Sequence, residues 1–103
     1  MIRITVVRIT QYRDLMELYE LPLECPCMMK EGDVFISDHG EKPERMCDIA
    51  WETLEPFVGT LVRGGSRIFG DWMKNPRSAM VSCNDGFRPV SFYIERIDRE
   101  DLS

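Results

Sequence analysis

The chain lacks any apolar run approaching the roughly 20 residues of a membrane-spanning helix. It is also short of positive charge: 13 Lys and Arg stand against 18 Asp and Glu, a net charge of −5. Nucleic-acid phosphates are held by basic faces, so a nucleic-acid partner is not expected, and Arg63 and Arg67 are thin grounds for one. The opening MIRITVVRIT has no basic region followed by a long apolar stretch and a small-residue cleavage site. No secretion signal is read there, and a cytoplasmic protein with reduced or ligand-bound cysteines is expected. Histidine occurs once, at His39 between Asp38 and Gly40, which reads as an exposed loop. Repeats, linkers, low-complexity segments and a paired C-x-x-C are all missing.

What is present suits one soluble domain. A chain of 103 residues supports one compact core, and 44% hydrophobic with 30% charged residues is ordinary globular composition. Residues 79–97 organise the rest and read as a hairpin. Asp85-Gly86 is a tight-turn dipeptide between β-forming runs 79–83 and 90–97. A two-residue loop there pairs Val81 with Val90 and Ala79 with Phe92. Ala79, Val81, Cys83, Val90, Phe92 and Ile94 then share an apolar face directed at the core. Pro89 cannot donate to a ladder and belongs at an edge or bulge. Asp85 and Arg88 flank the turn and read as partners of each other.

Residues 2–10 read as a strand with Ile2, Ile4 and Val6 on one face. Val7 and Ile9 fall on the other, which implies either a central strand or a bulge. Tyr12, Leu15, Met16 and Tyr19 form a stripe at helical spacing. Residues 21–29 form a loop with two cysteines, and 34–37 form a second strand. Residues 46–62 carry the main helical pattern, with Pro56 expected to kink or divide it and Gly64-Gly65 to end it. The loop 66–77, with Ile68, Phe69 and Trp72, is expected to fold back on the core. The order β-α-β-α-β-β predicts an α+β fold, a small mixed or antiparallel sheet with helices on one face and a C-terminal hairpin.

The chemistry centres on four cysteines. Cys25 and Cys27 lie in a loop, Cys47 at a helix start and Cys83 at the hairpin rim. Thiolates from such positions can hold zinc or another thiophilic metal. The spacing, C-x-C and then two lone cysteines, is not that of a zinc ribbon, and cysteine also packs as a small hydrophobe. Cys47 is the candidate reactive or catalytic thiol, because unpaired N–H groups and the dipole at a helix N-terminus stabilise a thiolate. A Cys47–His39 pair requires the His39 loop to fold over Cys47. Trp51 and Trp72 are candidate walls of a small cofactor pocket if both face the thiols.

Three segments together resemble a known pattern. Cys25-Pro26 is followed by Lys30-x-Gly32-Asp33-x-Phe35, and Cys47 by Ala50-Trp51 and Pro56. Cys83-x-Asp85-Gly86 is followed by Arg88-Pro89-Val90-x-Phe92-x-Ile94-Glu95-Arg96. Over nearly its whole length the chain resembles a family of small uncharacterised bacterial and archaeal proteins with cysteines in these three contexts. The resemblance brings no catalytic role. It implies that Cys25, Cys47 and Cys83 are the shared set, that Cys27 is a departure, and that Met28 stands where glycine is usual. Three readings therefore stay open: a metal or small-ligand site on Cys25, Cys47 and Cys83 with Cys27 a possible fourth; an enzyme or redox protein using Cys47; and a protein-interaction module in which the cysteines pack and Phe69 and Trp72 offer an apolar patch.

Overall fold

The first strand of the computed structural model, which describes residues 1–21 and 29–98, pairs on both sides. The elements are β1 (Ile2–Ile9), α1 (Arg13–Tyr19), β2 (Val34–Ser37), α2 (Asp48–Val62), β3 (Ser78–Ser82) and β4 (Val90–Arg96). The four strands form an antiparallel sheet in the order β2-β1-β4-β3, giving the expected α+β fold.

The conflicting alternation in β1 has a simple cause. The pairing to β4 slips between Val6 and Arg8, which leaves Val7 as an extra residue. Ile2, Ile4 and Val6 are fully buried before the slip, and Ile9, opposite Val90, packs on the core after it. β1 is thus both central and bulged. Its inward residues meet Phe35 across β2 and Phe92 and Ile94 across β4; Ala79 and Val81 of β3 continue the same face.

Helix α2 covers this face with Ala50, Trp51, Leu54, Val58 and Leu61. It runs through Pro56 as one element, which rules out the division into two short helices, one of the two outcomes expected there. Glu52 and Pro56 lie on its exposed side, where water can satisfy the carbonyl that Pro56 cannot. Its end is a Schellman closure: Gly64 N–H donates to the Leu61 carbonyl (3.1 Å) and Gly65 N–H to the Thr60 carbonyl (2.9 Å), with Gly64 at φ 89°.

Helix α1 buries no residue. Of its stripe, Leu15 and Met16 are half-buried, while Tyr12 and Tyr19 are exposed. What fixes this part of the chain is the loop joining β3 to β4. The two-residue turn expected at Asp85-Gly86 does not form. Val81 pairs with Phe92 and Ala79 with Ile94, a register two residues from the expected one, and the connection is longer. The slip is even, so every side chain keeps its expected face. Asp85 explains the difference: its carboxylate accepts from the N–H groups of Phe87 (2.8 Å) and Arg88 (3.0 Å). The loop also binds outward, since Thr10 N–H donates to the Pro89 carbonyl (3.0 Å) and Tyr12 N–H to the Phe87 carbonyl (2.8 Å).

Candidate functional site

Cys47 is the N-cap of α2, with extended backbone (φ −60°, ψ 133°). Its carbonyl accepts from Trp51 N–H (2.9 Å), which starts the helical ladder, and its side chain makes no capping bond. The thiol is half-buried and packs against the core. Trp51, one turn on, is buried beside it on the same helical face.

Cys83 follows β3 directly, on the inward face as the alternation requires. Its N–H donates to the Val90 carbonyl (3.0 Å), half of a closely spaced antiparallel pair. The return bond goes to sulfur: Val90 N–H donates to Cys83 Sγ at 3.3 Å. The Cys83 carbonyl, freed from the ladder, accepts from Ser82 Oγ (3.1 Å). The sulfur therefore closes the mouth of the hairpin, a role that strand alternation does not foretell. It too is half-buried and packs on the cluster that Cys47 touches.

Cys25 and Cys27 lie outside the described residues. Met29, four positions beyond Cys25, is buried in the same cluster. Among the described residues, no three His, Cys, Asp or Glu side chains gather as metal ligands. Trp72 stands apart from Trp51, with 83% of its surface exposed; its ring leans on Phe69, at 5.8 Å between centroids.

His39 is exposed, 3.8 Å from Asp38. It borders an open cleft of about 370 Å³ with Gly40, Glu55, Pro56, Gly59, Val62 and Arg63. Those helical residues begin two turns past Cys47, about 12 Å along the axis at ~1.5 Å per residue. His39 thus belongs to the far half of α2, not to the thiol.

One charged contact was invisible from the sequence. Asp85 takes only the backbone N–H of Arg88; the guanidinium makes a forked bond to the Glu20 carboxylate, at 2.6 and 3.1 Å, with both side chains largely buried. The partners are 68 positions apart, and no local pattern links them.

No protein-family model, curated protein or solved structure matches the chain. Among the described residues, no helix is long and apolar enough to cross a membrane.

Proposed function

We propose that the protein holds a thiophilic metal ion, such as zinc, or a small thiophilic ligand between Cys25, Cys47 and Cys83. One observation supports this most. Cys47 and Cys83 are distant in sequence, yet both are free, half-buried thiols packed against a single hydrophobic cluster. Met29 anchors the chain just after Cys25 in that cluster. The bond from Val90 N–H to Cys83 Sγ is compatible with ligation, because hydrogen bonds to sulfur also tune metal–thiolate centres. Cys27 is the natural fourth ligand if the centre is tetrahedral.

The test is elemental analysis of protein purified without chelator, together with a thiol count before and after denaturation. A near-stoichiometric metal, or native thiols shielded until unfolding, is expected, with occupancy falling in Cys47→Ser and in Cys83→Ser. Four freely reactive thiols and no metal uptake from added zinc would end this reading. Fast alkylation confined to Cys47 in metal-free protein would instead favour a reactive thiol.

A further inference from the structure

The connection from α2 to β3 carries charge opposite to that of the rest of the chain. Residues 63–77 contain Arg63, Arg67, Lys74 and Arg77 but one acid, Asp71. That is a net +3 within a chain of net −5, so the remainder carries −8. Folding adds a fifth base. Arg67 N–H donates to the Pro76 carbonyl (2.7 Å), and Arg96 N–H to the Arg77 carbonyl (2.9 Å), which ties the two ends of the loop to each other and to β4. The Arg96 guanidinium lies over Gly64, where an added Cβ would sit 3.6 Å from Nη1. All five basic residues are exposed.

Arg67 pairs with Asp71 at 3.5 Å, and along this basic segment a ladder of rings leads outward. Phe57 on α2 meets Phe69 at 6.0 Å, and Phe69 meets Trp72 at 5.8 Å, both tilted. Phe69 packs on the core, while Trp72 projects into solvent. An indole supported from below and exposed above keeps its outer surface for something else. Trp and Arg are the residue types that dominate binding energy at protein interfaces.

We propose that residues 63–77, with Arg96, dock an acidic protein segment that places an apolar or aromatic side chain on Trp72. The sign of the patch selects the acidic partner, and the ring ladder selects its anchor. A peptide is favoured over a nucleic acid because a long polyanion would also face the rest of the molecule, which carries −9 once Arg96 is counted with the patch. This surface is independent of the thiols.

The experiment selects a phage-displayed random dodecapeptide library on the full-length protein and, in parallel, on Trp72→Ala. Peptides with Asp or Glu around a Leu, Phe or Trp should be enriched on the first and not on the second. The leading synthetic peptide should bind about tenfold or more weakly to Trp72→Ala. It should also weaken as salt is raised and in Arg67→Glu/Arg77→Glu. Thermal melts of both variants establish that they are folded. No enrichment, enrichment without acidic residues, or enrichment unchanged by Trp72→Ala overturns the proposal. So does Trp72-dependent binding of a 15-nucleotide oligothymidine in preference to any selected peptide.

Discussion

Helices α1 and α2 both show an apolar stripe in the sequence, and the fold treats them in opposite ways. α2 has 15 residues, five of them buried, and a closed C-terminus. α1 has seven residues, none of them buried. The difference lies in what each can reach. α2 lies across the inward side chains of β1, β3 and β4. α1 lies at the periphery, and seven residues barely exceed a helical nucleus. Its position rests on the loop 84–89, through the Glu20–Arg88 pair and the bond from Tyr12 to Phe87. A stripe reports amphipathy; only the sheet decides which stripe is covered.

Matched truncations test that contrast most severely. Leu54 is fully buried, and Leu54→Ala should cost about 2–5 kcal/mol in guanidinium unfolding. Leu18 on α1 is 70% exposed, so Leu18→Ala should stay within about 0.5 kcal/mol. Equal costs would show that α1 is packed as tightly as α2.

A smaller loss is expected at the closure of α2. A Cβ on Gly65 would lie 2.6 Å from Thr60 Cγ2 and 2.8 Å from the Thr60 carbonyl oxygen, so Gly65→Ala must open the cap. About 1–3 kcal/mol is expected from equilibrium unfolding, as for other overpacked sites. An unchanged midpoint would mean that the cap relaxes freely.

The tether of α1 can be cut without touching the core. Arg88→Met leaves the Glu20 carboxylate largely buried without its forked partner, which should cost about 1–3 kcal/mol. Hydrogen exchange locates the damage: amides of α1 should lose protection while those of α2 keep theirs. Uniform loss across both helices would assign the pair to the core instead. The smallest effect belongs to Trp72→Ala, which should alter stability by no more than about 0.5 kcal/mol despite the size of the ring. A larger drop in its melting midpoint would place Trp72 in the fold rather than at a docking surface.

Much of this architecture could be read from the residues because burial is periodic. The inward set of the hairpin and the covered face of α2 follow from alternation and helical spacing. The hairpin register did not follow, because Asp-Gly is locally a tight-turn signal while Asp85 bonds two backbone N–H groups further along. Glu20–Arg88 left no trace, since a pair 68 positions apart has no local grammar. Of the candidate site, the inward placing of Cys83 and the capping position of Cys47 were legible. The acceptance of Val90 N–H by a sulfur was not, because it depends on where the loop ends. Of the loop expected to fold back on the core, Ile68 and Phe69 do so and Trp72 does not, because aromatic content does not say which end of a ring ladder meets water.

Val7 has a peculiar status among the residues of β1. Deleting it would bring Arg8 and Ile9 into step with Ile2, Ile4 and Val6, so every remaining side chain would stay on the side it now occupies. The surplus amino acid is therefore neutral to sidedness, and what it supplies is direction. An extra residue of this kind bends its strand and raises the local twist, and beyond it Thr10 and Tyr12 keep pairing with Pro89 and Phe87 in the shifted register.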